Sequence, residues 1–108
     1  MRLQEKNKRD MILRLRAGGA DVPIWGPGTA IRAVIQPASS KILAEMYGER
    51  INKMKLLLYD GPETLKEGMG LCVDVAGDQP CDYRIISAEA WSGHQKAILE
   101  WIPAGRRA

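Results

Sequence analysis

The segment from Ala30 to Tyr59 constrains the fold of this chain more than any other, because two strand-like runs flank a short amphipathic helix. Strand periodicity stops at Pro37, which lacks the N–H group that a β-ladder needs. Four apolar residues then share one helical face ahead of Gly48, a residue type that commonly ends helices: Ile42, Leu43, Met46 and Tyr47. Strand character returns at 53–59. One short helix within a β-patterned chain predicts a small β-barrel or sandwich with a single inserted excursion.

Four further strand-like runs surround this segment. Residues 11–16 alternate between two faces, which favours a strand with arginine stems on its outer face over the competing helix across 3–15. Residues 17–29 are rich in Gly and Pro and predict a long loop or a wide hairpin connection, with Trp25 folded back onto the edge of the core. Strands are also expected at 71–76, 83–89 and 95–102. The whole pattern is mainly β and predicts an antiparallel barrel or sandwich of about six strands, with the helix between the second and third.

The length of 108 residues predicts one domain at 11–102, preceded by a flexible basic arm at 1–10 and followed by a tail at 103–108. The net charge of +3 is modest and does not by itself indicate nucleic acid as a partner. No apolar run is as long as a membrane span, and residues 1–10 are too charged for the core of a signal peptide. We therefore expect a soluble protein with no membrane partner, made in a reducing cytoplasm, with Cys72 and Cys81 as free thiols that face each other across a hairpin.

The sequence contains no recognisable catalytic, cofactor or metal-binding pattern. His94 lies in a turn beside Gly93, without a nucleophile in a known spacing, and is interpreted as a structural turn residue. Ser39 and Ser40 precede the helix, where one of them is expected to cap its first N–H groups. Asp78 and Asp82 are interpreted as residues that shape a turn. These patterns predict a protein that is not an enzyme and needs no cofactor.

Nucleic-acid binding remains an alternative. Lys53 and Lys55 supply positive charge on one predicted strand and Arg84 on another, but the sequence shows no aromatic platform beside them on which bases would stack. An oligonucleotide-binding type of β-barrel that takes up single-stranded nucleic acid is therefore the second hypothesis.

The ordered motifs of the chain resemble a known family. They begin with a strand, a Trp-bearing Gly-rich loop and A-V-I-Q-P at 33–37, and continue through the short helix, a strand that ends in L-L-L-Y, and L-K-E-G at 65–68. Y-R-I-I-S at 83–87, W-S-G-H at 91–94 and A-I-L-E at 97–100 complete the series. Over roughly residues 11–102, this succession is similar to the small head-closure or head–tail joining proteins of long-tailed bacteriophages and prophages.

The resemblance implies a structural β-barrel subunit of the virion, assembled in the host cytoplasm, that forms a ring with copies of itself. The implied partners are the portal or adaptor protein, a tail or tail-completion protein, and double-stranded DNA passing through the ring. The segment 37–52 would help to close the DNA channel, with Lys41, Arg50 and Lys53 as candidate channel-facing or partner-facing residues. An incompletely closed barrel would offer strand edges to ring neighbours. The basic arm is the candidate assembly element, through Arg2, Lys6, Lys8 and Arg9.

Overall fold

A computed structural model describes residues 5–18, 24–38, 41–76 and 79–103, the side chains of residues 5, 24, 41–43 and 91 excepted. The elements follow one another along the chain as six strands and three short helices. The strands are β1 (Arg9–Gly18), β2 (Ile24–Pro37), β3 (Met54–Tyr59), β4 (Gly70–Cys72), β5 (Tyr83–Trp91) and β6 (His94–Trp101). The α-helix α1 (Lys41–Tyr47) lies between β2 and β3, and 3-10 helices span Glu5–Asn7 and Gly48–Lys53.

The six strands form a closed antiparallel barrel in the order β1-β2-β3-β6-β5-β4. The predicted mainly β fold with one short α-helix between the second and third strands is confirmed. Closure is completed where β1 pairs with β4, through Ile12↔Cys72, Leu13↔Leu71 and Arg14↔Gly70. The expectation of an incomplete barrel was therefore wrong, because the short strand β4 joins the two ends of the sheet.

The core of the barrel is built from alternate positions of the strands, as period-two patterning requires. Ala33, Leu57, Leu71 and Leu99 are completely buried, and Ile85 is 1 % exposed. Each buried Leu or Ile contributes about 1.5–3 kcal/mol relative to an exposed side chain. The remaining members are mostly aliphatic, which agrees with the absence of Phe from the sequence: Met11, Leu13, Ile31, Tyr59, Leu65, Met69, Val73, Tyr83 and Ala97.

Strand β2 extends further than the Gly- and Pro-rich sequence suggested. It begins at Ile24, so the prediction of a loop over 17–29 was wrong for residues 24–29. The ladder with β1 shifts register between the pairs Arg14↔Gly28 and Arg16↔Trp25, which leaves Pro27 in a β-bulge where no ladder N–H is required. Gly28 packs so closely on Ile12 that an added Cβ would lie 2.5 Å from its Cγ2 atom. The glycines and the proline are thus part of the strand.

The α-helix ends at Tyr47, before Gly48 as predicted, and Gly48, with a φ of +58°, begins the 3-10 helix that continues to Lys53. The helix does not bury its whole apolar face, because Met46 is 65 % exposed. Ser39 and Ser40, the expected capping residues, lie outside the described residues. No described helix is long and apolar enough to span a membrane.

Two polar side chains, Gln95 and Asp82, fix the long connections that follow β3 and β4. Leu65 anchors the first connection in the core, as predicted, and its N–H donates to Gln95 Oε1 at 2.8 Å. Asp82 is 2 % exposed and accepts hydrogen bonds from the N–H groups of Val73, at 2.8 Å, and Asp74, at 2.9 Å. Asp82 therefore shapes the turn after β4, while Asp78 lies outside the described residues. These hydrogen bonds hold residues 73–75 in a bend, so β4 ends at Cys72 and the strand predicted over 71–76 is shorter than expected.

Candidate interaction groove

A groove of about 770 Å³ lies where β5 and β6 meet the 3-10 helix Gly48–Lys53 and the start of β2. Its lining combines cations, two acids, two tryptophans and aliphatic side chains. The charged members are Arg16, Arg50, Lys53, Arg84, Glu67 and Glu100, and the apolar members are Trp25, Ile85, Ile86, Trp101, Ile102 and Pro103. A cavity of this size is in the range that proteins use for small ligands or for a few side chains of a partner.

Glu100 of β6 lies at the centre of the charged side of the groove. Its Oε2 accepts a hydrogen bond from Arg50 Nε at 2.7 Å, and its Oε1 accepts one from Arg84 Nη2 at the same distance. The glutamate side chain is 13 % exposed, while the two arginine side chains are about half exposed. The hydrogen bond from Arg50 is the largest influence that lowers the pKa of Glu100, and the bond from Arg84 lowers it further against the opposing effect of burial. The same contact raises the pKa of Arg50.

Lys53 and Trp101 form a second contact in the groove. The Lys53 ammonium lies 5.8 Å from the centre of the Trp101 ring, a distance at which the cation is attracted by the π-face of the ring. Arg50 makes a similar contact with Tyr47, at 5.5 Å. The sequence analysis missed the pairing of Lys53 with an aromatic ring because Lys53 and Trp101 are far apart in the chain. The pairing of β3 with β6 would have indicated this contact, but the sequence did not show which strands pair.

Trp25 lines the groove because it belongs to strand β2, which begins at Ile24, and does not lie in the predicted loop. Its ring packs against Gly70 of β4, where an added Cβ would lie 2.6 Å from Trp25 Cζ3. The prediction that Trp25 folds back onto the core edge is confirmed. The Trp25 Nε1 atom is buried and has no hydrogen-bond partner among the described residues. The Trp25 indole therefore carries a buried donor that the described residues do not satisfy.

A β-bulge brings two consecutive isoleucines into the lining. The pairing of β5 with β6 shifts register between Ile85↔Leu99 and Ser87↔Ile98, which makes Ile86 the extra residue. Bulges redirect side chains in this way. Ile85 is buried in the core and Ile86 is half-buried, and both line the groove. The sequence predicted this strand but gave no sign of the bulge.

The structure brings two of the three predicted channel-facing residues together. Arg50 and Lys53 both line the groove, whereas the side chain of Lys41 lies outside the described residues. Lys53 belongs to the 3-10 helix, and β3 begins one residue later.

The predicted arm residues do not share one environment. Lys6 is exposed on the first 3-10 helix, and Arg2 lies outside the described residues. Lys8 pairs with Asp60 at 2.9 Å, with 8 % of its side chain exposed. Arg9 begins β1 and donates to Asp74 Oδ1 at 3.0 Å and to the Val73 carbonyl at 3.2 Å. Residues 8 and 9 are therefore attached to the barrel.

The two cysteines lie side by side at the end of β4. Both are reduced and buried, with a separation of 3.7 Å between their Sγ atoms, so the prediction that they face each other is confirmed. Burial is the main cause that raises the pKa of Cys81, and the neighbouring Cys72 raises it further. Within the described part of the chain, no three His, Cys, Asp or Glu side chains are grouped closely enough to hold a metal ion.

Comparison with known proteins adds no family assignment. No protein-family model, curated protein or solved structure matches the chain.

Proposed function

We propose that the protein is a structural component of a bacteriophage virion that joins the head, through its portal or adaptor ring, to the tail. In this proposal it helps to close the DNA channel after packaging, acts without catalysis or a cofactor, and assembles as a ring of identical copies. The observation that carries the proposal is the barrel with one helical excursion between β2 and β3. This is the architecture that the resemblance of the sequence motifs implies.

The distribution of contacts in the molecule supports a role in assembly. The excursion between β2 and β3 is attached to the barrel through the Arg50–Glu100 ion pair, while Met46 remains exposed. A segment that is fixed at one end and exposes an apolar side chain suits contact with another subunit. The described lining of the groove offers charged and apolar side chains for contact, and these residues include no pair of nucleophile and base.

The proposal is tested with phage particles produced without this protein. We expect DNA-filled heads that do not join tails or that lose their DNA, as seen by negative-stain electron microscopy. Supplying the wild-type protein from a plasmid is the matched control and should restore complete particles. Filled heads that join tails and retain their DNA in its absence would contradict the proposal.

The groove also favours a second candidate function, the binding of single-stranded nucleic acid. It places Trp25 and Trp101 beside four cationic side chains, which supplies the aromatic component that the sequence analysis had not found. Against this function, Glu67 and Glu100 lie in the same lining and would repel a phosphate backbone.

A salt titration separates the two candidates. A single-strand binder should lose affinity for an oligonucleotide steeply as salt rises, because phosphate contacts release counterions. It should also lose affinity in Lys53→Gln, while the control Lys66→Gln, at an exposed lysine outside the groove, binds normally. Binding that is absent at low salt would eliminate this second candidate.

A further inference from the structure

The short helix α1 presents an acidic and an apolar side chain next to each other at the surface. Met46 is 65 % exposed, and Ala44 and Glu45 are exposed beside it. Exposing a methionine to this extent forgoes the stabilisation that burial would give. The protein therefore carries a small apolar and acidic projection that its own barrel does not cover.

The groove offers the complementary chemistry. Four of its six charged side chains are cations, and Glu100 already interacts with Arg50 and Arg84. Lys53 lies at 5.8 Å over Trp101, so positive charge and an apolar wall occur side by side. A carboxylate next to an apolar side chain matches this surface. The mixed signs of the lining fit a protein segment better than a polyanion, because alternating charge selects a complementary surface.

We propose that α1 of one copy docks into the groove of a second copy of this chain, with Glu45 toward the cations and Met46 against the apolar wall. The occupant is taken from a second molecule because α1 leaves Met46 exposed on its own chain and contributes no described residue to the lining of its own groove. A contact between two different surfaces of identical subunits repeats from copy to copy and closes into a ring when the rotation allows it. The inference rests on the self-association included in the proposed function, and it names the two surfaces that meet.

Sedimentation velocity of the purified full chain over a concentration series tests this contact. We expect concentration-dependent association that weakens about tenfold in Met46→Ala, which removes the apolar anchor. Glu45→Arg and Lys53→Glu should each weaken association roughly three- to tenfold by placing like charges opposite each other. The chain that carries both substitutions should recover most of the lost affinity, because the charges are then exchanged across the contact.

Glu63→Arg is the matched control, since Glu63 is an exposed acid on the loop after β3 and does not line the groove. It should associate as the wild type does. A chain that stays monomeric at every concentration would overturn the inference, and so would association that is unaffected by Met46→Ala or by both single charge reversals. Such a result is distinguishable from failure of the proposed function, because the wild-type protein would still restore head–tail joining in the particle assay.

Discussion

Arg50 and Glu100 are 50 residues apart in the sequence, yet the guanidinium Nε and the carboxylate Oε2 lie 2.7 Å apart. This ion pair connects the excursion between β2 and β3 to the last strand of the barrel. Glu100 also accepts a hydrogen bond from Arg84 on the neighbouring strand. One carboxylate thus fixes the position of the excursion relative to the sheet, which makes Glu100 the first residue to test.

Replacing Glu100 by glutamine should reduce the free energy of unfolding by about 1 kcal/mol, because each arginine is half exposed and such pairs contribute little individually. Urea unfolding measures this change. The control Glu63→Gln changes an exposed loop residue and should leave the free energy of unfolding unchanged. An equally stable Glu100→Gln protein would show that the two pairs do not stabilise the native state.

The lowered pKa of Glu100 also predicts the direction of a pH effect. A carboxylate with a lower pKa in the folded state stabilises that state at pH values above its unfolded pKa of about 4.3. This contribution should disappear as pH falls below that value and passes through the lower pKa of the folded state. Unfolding free energies measured between pH 3 and pH 7, an interval chosen to span the usual carboxylate range, should decline less in Glu100→Gln than in the wild type. Identical pH profiles would contradict the assignment.

The buried thiols should resist alkylation in the native protein. Burial raises the pKa of Cys81 and so suppresses the reactive thiolate, and both sulfur atoms are shielded from reagent. Iodoacetamide at pH 8 should label neither cysteine until urea is added, as read by mass spectrometry. In the control Met46→Cys, the new thiol at an exposed position should react quickly under the same conditions. Rapid native labelling of Cys81 would show that its site opens readily.

Gly70→Ala should destabilise the protein by about 1–3 kcal/mol, because the added methyl group would meet the Trp25 ring at 2.6 Å and Cys81 Sγ at 2.8 Å. Thermal unfolding followed by the fluorescence of the three tryptophans measures the loss of stability. Gly18→Ala is the matched control, since no atom of the described residues lies within 4 Å of its added Cβ. A Gly70→Ala protein as stable as this control would mean that the Trp25 ring can move aside without cost.

Asp82→Asn should cost about 1–3 kcal/mol, because an amide nitrogen would replace one of the two oxygens that accept backbone N–H groups in a buried position. The exposed Asp74→Asn provides the comparison, although it also removes part of the surface pair with Arg9. Chemical denaturation of both variants gives the difference. A smaller loss in Asp82→Asn than in Asp74→Asn would contradict the role of Asp82 in shaping the turn.

Much of the fold was predictable because alternation of buried and exposed side chains is a local property. Leu57, Tyr59, Leu99 and the helix-ending Gly48 all follow from patterns within a few residues. The start of β2 was not predictable, because Gly26 and Pro27 normally break strands. Strand β2 accommodates both residues through a bulge opposite β1. A bulge depends on the pairing of two strands, so it cannot be read from one segment of the sequence. The length of β4 likewise depends on the distant Asp82.

The groove was less predictable than the fold. Arg50 and Lys53 were named, as basic residues, among the candidate channel-facing or partner-facing residues of the ring that the resemblance implies, and both line the groove. Their contacts with Glu100 and Trp101 depend on which strands become neighbours, which a single sequence leaves open. Trp25 was expected at the edge of the core, but its place beside these cations follows from the register of β2. Local chemistry identified the charges, and tertiary pairing determined what surrounds them.

The short strand β4 has a consequence for how the molecule fluctuates. It is held by three residue pairs to β1 and by two to β5, whereas β5 and β6 share eight. Breathing of the cylinder should therefore begin at this seam, where the fewest ladder bonds must break. The amide hydrogens of Gly70–Cys72 would then exchange with solvent before those of the β5–β6 hairpin, and each such opening would briefly unzip the wall of the cylinder between β1 and β5.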